Sequence, residues 1–281
     1  MTLLQLKALV GASACDAEAD GTNPLRTVPN ARRFGWPDGA IMAALVLFAC
    51  LPIAAARPFM AAAGGVVLLL SLWRVRSLAA PAAALAGGLC LYGGVVPQWF
   101  IWPIYLLIPV IAAMVAAGSA GSISSVLAAA RLGRLGAAEA GLILLIGIVS
   151  AGALLGWVVV LEPDLAPFRA MIPGWSVPAL IGAGLTFSLV NAVLEEFIWR
   201  GVLQRWLMSI ASPAVAVAGQ ALSFGAAHYL GFPGGFAGAA LATTYGAMLG
   251  ALALRSGGLL APIVAHVAAD AVIFSLVILY A

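Results

Sequence analysis

Two histidines occur in the chain, His228 and His266, and both lie in stretches apolar enough to cross a membrane. Glu195, Glu196 and Arg200 interrupt a third such stretch, and Asp270 follows His266 by one helical turn. An ionisable group inside a bilayer costs at least ~2.5–3.5 kcal/mol and is functional by default. A carboxylate beside an imidazole in a low-dielectric cavity is suited to activating water. A second imidazole with a polar partner can hold an oxyanion. The same four side chains, Glu195, His228, His266 and Asp270, could instead ligate a divalent metal such as zinc and leave one position for water. Both routes lead to hydrolysis. Two other uses of these groups compete: a proton relay in a proton-coupled transporter, or a non-catalytic membrane scaffold that keeps them for structure.

The elements that carry these residues follow from composition. Apolar residues make up 64% of the chain and charged ones 8%, with a mean hydropathy of +1.13. Soluble domains carry about 45–50% and ~25%. The expected fold class is therefore all-α, a polytopic transmembrane helical bundle. Asp, Glu, Lys and Arg are absent between Arg76 and Arg131 and again between Arg205 and Arg255. A helical span needs about 20 apolar residues, so each gap has room for two. Eight to nine spans are expected, over about 39–56, 58–74, 78–96, 99–117, 139–161, 177–205, 212–230, 236–254 and 259–280. The second is short enough to be re-entrant. The less apolar stretch near 122–138, with Arg131 and Arg134, reads as an interfacial helix.

Three regions result: a flexible tail over 1–38, transmembrane helices over 39–175, and a C-terminal helical region over 176–281 that carries the special residues. The tail carries Asn-Pro, Val-Pro and Trp-Pro pairs, and no signal peptide is expected. A cytoplasmic N-terminus puts eleven of the thirteen basic residues on the cytoplasmic side, as the positive-inside rule asks. The alanine-rich composition suggests a bacterial cytoplasmic membrane. The lipid bilayer is the partner that this composition implies. The basic residues are spread as loop anchors, so nucleic acid is not expected. Cys15, Cys50 and Cys90 have no metal or redox spacing.

Spacing lets the special residues meet. Glu195 precedes the Ser212-Pro213 turn by 17 residues and His228 follows Ser212 by 16. Both therefore sit ~25 Å along their helices from that turn. His266 lies about nine residues beyond Gly257-Gly258, a depth of ~13 Å. Three spacings converge on one layer. Glu196 and Arg200 form a favourable i,i+4 pair and read as structural. Glu195 projects about 100° away and reads as the reactive group. Asn191, one turn before Glu195, either orients it or bonds across to another helix. Phe224 reads as packing beside the site. Trp199 and Trp206 read as part of an aromatic belt, and Gly225, Gly238, Gly246 and Gly250 as close helix contacts.

Glu195-Glu196-x-x-x-Arg200, Phe224-x-x-x-His228 and His266-x-x-x-Asp270, in that order, resemble the CPBP family. That family includes the CAAX prenyl-endopeptidases and the bacteriocin-processing and self-immunity (Abi) proteins. The resemblance covers roughly 176–281, implies that this region is the catalytic domain, and implies an intramembrane endopeptidase acting on a membrane-associated protein or peptide substrate, with an immunity factor as the non-catalytic counterpart. It implies that Glu195 and His228 activate water, while His266 and Asp270 serve the oxyanion or a second ligand pair. Eukaryotic members carry Asn where Asp270 stands. An ionised Asp is a poor oxyanion donor, so Asp270 would orient His266, be protonated, or bind metal. The family has been described as metal-dependent and as glutamate-dependent, and the motifs fit either.

Overall fold

The computed structural model describes residues 34–73, 79–95 and 104–280. The expected tail lies outside them up to residue 33, as do the joints at 74–78 and 96–103. Among the described residues every regular element is helical. The helices are α1 Trp36–Phe48, α2 Arg57–Trp73, α3 Ala79–Val95, α4 Leu107–Ser119, α5 Ile123–Ala129, α6 Ala137–Leu161 and α7 Ala166–Ala170. Then come α8 Val177–Glu196, a π-helical stretch Phe197–Leu203, α9 Gln204–Met208, α10 Pro213–Ala227, α11 Gly235–Ser256 and α12 Leu260–Tyr280.

Helices fall on all nine predicted stretches, but among the described residues five are long and apolar enough to cross a membrane. These are Ala54–Leu72, Ala137–Leu161, Val177–Met208, Gly235–Ser256 and Leu260–Tyr280. The first predicted span breaks early. α1 stops at Phe48 and a turn through Pro52 follows, because proline lacks the donor that would continue the helix. The interfacial helix expected near 122–138 is much shorter: α5 has seven residues, and 131–136 are not helical. Gly133, with φ at +74°, turns the chain there.

Packing divides into two clusters of neighbours. α2, α3 and α4 pack on one another, and α1 packs on α3. α8 and α6 pack against α12, and α10 against α11. The π-helical stretch lies where the clusters meet, touching α3, α5 and α10. It is buried on every side: Ile198, Trp199, Arg200, Gly201, Val202 and Leu203 are all interior.

Two expectations fail here. The tail does not extend to residue 38. Asp38 is fully buried in the first turn of α1, where its carboxylate accepts from Gly35 N at 2.9 Å and from Trp206 Nε1 at 2.9 Å. Trp199 and Trp206 are not in an aromatic belt, since both are 0% exposed. Their apolar area goes to the junction between the clusters, and the indole of Trp206 serves a buried carboxylate that lies far away in sequence. The close-contact reading of the glycines does hold. A side chain at Gly225 would strike Thr243 and the Ala239 carbonyl of α11.

Candidate active site

His266, on the inward face of α12, is the hub. Its Nδ1 stands 2.6 Å from Glu196 Oε1, and a carboxylate can only accept there. Its Nε2 faces Glu195 Oε2 at 3.4 Å and Asp270 Oδ1 at 3.7 Å. The two adjacent glutamates thus reach opposite nitrogens of one imidazole. Their ~100° separation on the helix divides their contacts, as the sequence implied, but both act on the same ring. Asp270 Oδ2 accepts from Asn191 Nδ2 at 3.0 Å. Asn191 therefore bonds across to α12.

Glu196 Oε1 also accepts from Arg200 Nη1 at 2.8 Å, with both side chains 0% exposed. Arg200 spends its other terminal nitrogen on the Gly246 carbonyl at 3.1 Å, and Gln220 Nε2 donates to that carbonyl at 2.8 Å. Gln204 Nε2 donates to the Gly250 carbonyl at 3.1 Å. Glycine at 246 and 250 leaves these carbonyls within reach. A side chain at Gly250 would meet both glutamines. A π-helical turn carries these residues through the interior, and such turns often mark functional sites.

His228 ends α10 and starts a single 3₁₀ turn, so it stands at a helix end and not within a continuous span to residue 230. Its Nδ1 lies 2.9 Å from the Phe224 carbonyl. A carbonyl only accepts, so Nδ1 carries the proton and the neutral ring keeps its lone pair on Nε2. The Phe-x-x-x-His spacing is what sets this tautomer. The Phe224 ring lies 4.4 Å from the His228 ring and 6.0 Å from the His266 ring, centroid to centroid. It also takes the Arg200 guanidinium on its face at 4.6 Å and the edge of Trp199 at 5.2 Å. Phe224 thus packs beside the site and sets the distance between the imidazoles.

A cavity of about 100 Å³ opens beside this cluster. His228, His266 and Asp270 face it together with Phe224 and Tyr245, and its remaining wall is apolar except for Ser150 and Thr244. Glu195, 1% exposed, is not itself a lining residue, but its Oε2 stands 3.4 Å from Nε2 of the lining His266. The segment with Pro163, Pro167 and Pro173 reaches the cavity wall through Phe168. Phe168 and Trp157 pack edge-on against Phe232, a lining residue, at 5.5 and 5.0 Å.

Sequence reasoning missed Tyr245, Gln204, Gln220 and Asp38. Tyr245 lines the cavity, sets its ring 5.6 Å from that of His266, and holds its hydroxyl buried without a hydrogen-bond partner. The signal was present: Gln220 and Tyr245 are rare polar groups in the charge-free run between Arg205 and Arg255.

The metal expectation has mixed support in geometry. Both imidazoles have Nδ1 engaged by an acceptor, as metal-binding histidines do. Among the described residues, however, no three His, Cys, Asp or Glu side chains are arranged to hold a metal ion. The residues as they stand do not form a metal-holding group.

Comparison with known families agrees with the motifs. A family model described as type II CAAX prenyl endopeptidase Rce1-like matches residues 177–272. Searches of curated proteins and of solved structures return no match. The matched segment contains Asn191, Glu195, Glu196, Arg200, Phe224, His228, His266 and Asp270, and it supports a CPBP-family protease, of the Rce1-like kind, carried by an integral membrane protein.

Proposed function

We propose that this protein is an intramembrane endopeptidase that hydrolyses a peptide bond of a membrane-associated protein or peptide with a water activated by Glu195 and His228. The carrying observation is the position of His266, with Glu196 on one nitrogen and Glu195 and Asp270 facing the other. Glu195 takes the proton of the water as it attacks the scissile carbonyl carbon. His228, with its lone pair on Nε2, orients that water. The carbonyl oxygen becomes the oxyanion and accepts from His266 Nε2–H, while Glu196 holds the Nδ1 proton. Asp270, fixed by Asn191, orients His266 and does not donate to the oxyanion. As the tetrahedral intermediate collapses, Glu195 returns its proton to the departing amine nitrogen. No step requires a metal, and no step requires a prenyl group on the substrate.

The test is a survey of new peptide termini in host membranes that compares the intact protein with Glu195→Gln at matched expression. Removing a general base lowers the rate by roughly 10²–10⁴-fold. New termini should therefore appear with the intact protein alone, and they would also reveal the substrate class. Equal termini with both proteins would remove Glu195 from the chemistry. No new termini with either, when candidate substrates are present, would favour the scaffold.

A further inference from the structure

The end of the molecule that holds Arg131, Arg134 and Arg205 has a second pocket, apart from the cavity of the proposed active site. Arg131, Arg205, Arg200 and Gln204 line it, over the Gly257-Gly258 turn. Its enclosed volume is about 10 Å³, room for roughly one water or one ligand oxygen. Arg131 and Arg205 repel each other there. Among the described residues no carboxylate pairs with Arg131, Arg134 or Arg205, and the nearby Glu139 is taken by Arg255 at 3.3 Å. At the base of the pocket, Arg200 Nε and Gln204 Oε1 are buried without hydrogen-bond partners.

The surroundings say what kind of anion suits it. The segment around Arg131 exposes Ile123, Leu127, Leu132 and Leu135. Exposed apolar side chains interleaved with arginines are the pattern of a segment lying at the headgroup layer. That segment is strapped down by backbone. Leu259 N donates to Arg131 O at 2.8 Å, Leu260 N to Leu132 O at 2.9 Å, and Arg134 N to Ser256 O at 2.9 Å. Arg205 Nη1 donates to the Ala128 carbonyl at 2.6 Å, which leaves its other nitrogens for a ligand.

We propose that Arg131 and Arg205 form a binding site for the phosphate of an anionic phospholipid. One phosphate oxygen enters the pocket towards Arg200 Nε. The headgroup rests over the Gly257-Gly258 turn, and the acyl chains lie against the exposed leucines. The bound lipid therefore sits on the backbone that starts α12, six residues before His266.

Full-length protein is placed in bilayer discs of equal parts phosphatidylglycerol and phosphatidylcholine, and retained lipid is counted by native mass spectrometry. Phosphatidylglycerol should be enriched. Arg131→Gln should lower its retention roughly fivefold, the loss expected for one arginine at an anionic surface. Arg131→Lys should keep most of the retention. Arg134→Gln, outside the pocket, should leave it unchanged. Equal losses from Arg131→Gln and Arg134→Gln would mean diffuse surface charge and overturn the site. So would no preference between the two lipids, or displacement of the lipid by inorganic phosphate at comparable concentration. Arg131 is exposed, so its variants should fold, and an unchanged melting temperature verifies that.

Discussion

The interiors of α1–α4 and of α8–α12 are built from opposite materials. Between α2, α3 and α4 the buried residues are mostly Ala and Gly, from Ala79 through Cys90, and among the described residues of α1–α4 Asp38 is the one buried charge. Between α8 and α12 the buried set includes Asn191, Glu195, Glu196, Arg200, Gln204, Gln220, His266 and Asp270. In a bilayer, apolar side chains gain little by leaving lipid, so helices associate through close packing of small residues and through hydrogen bonds. The first region uses the former and the second the latter. Only the second can do chemistry, because its cohesive groups are also its ionisable ones. The first makes a wall that need not change shape for the second to work.

Glu196→Gln should have the largest effect on stability. It removes the partner shared by Arg200 and His266, and breaking a buried charge pair from one side costs about 3–5 kcal/mol. Melting in detergent should fall well below that of Glu195→Gln, because Glu196 is the carboxylate bonded to the buried Arg200 guanidinium. Adding Arg200→Met to Glu196→Gln should recover much of the loss, since an apolar replacement leaves no orphaned charge. If instead Glu195→Gln melts early and Glu196→Gln is stable but inactive, the two glutamates have exchanged the roles assigned here.

The placement of the polar cluster was more legible in the sequence than the architecture was. His266 and Asp270 repeat at i,i+4, and Glu196 and Arg200 do the same, so their contacts followed from helical geometry alone. The shared depth of Glu195, His228 and His266 followed from counting residues to turns. Trp199 and Trp206 misled because aromatic residues near arginines look alike at a lipid interface and at a buried junction. Only tertiary packing of the π-helical stretch against α3 and α10 distinguishes the two. The bond from Trp206 to Asp38 joins residues 168 positions apart, and no local pattern announces such a pairing. The span count was hardest, because turns at Pro52 and Gly133 shorten helices whose hydropathy runs on past them.

Trp206→Phe tests whether the two interiors are held together by that bond. It keeps an aromatic ring in place of the larger indole and removes one donor to the buried Asp38 carboxylate. A hydrogen bond to a charged group contributes about 1.5–3 kcal/mol, so the melting temperature should fall while proteolysis by the folded fraction persists. An unchanged melting temperature would mean that the clusters are joined by apolar packing alone.

Gly87→Ala probes the wall by itself. A Cβ there would stand 2.7 Å from Leu68 N and 2.9 Å from the Gly64 carbonyl on α2. Backbone cannot yield as a side-chain tip can, so α2 and α3 must move apart, and overpacking of this kind costs about 1–3 kcal/mol. Stability should drop with no change in the pH profile or chelator response of any activity. A changed pH profile would mean that the wall shapes the polar cluster directly.

Chelation should have the smallest effect. The proposed hydrolysis draws its base from Glu195 and its oxyanion donor from His266, so a metal-stripped preparation should keep full activity, with unchanged melting. Loss of activity that zinc restores would break the comparison at its centre. The Glu195, His228 and Asp270 side chains would then have to rearrange around His266 to make a site, since no three His, Cys, Asp or Glu side chains among the described residues are arranged to hold a metal ion. The Nδ1 bonds of His228 and His266 would keep their importance in either case. Each fixes a ring so that Nε2 is the nitrogen offered, whether to a water and an oxyanion or to a cation.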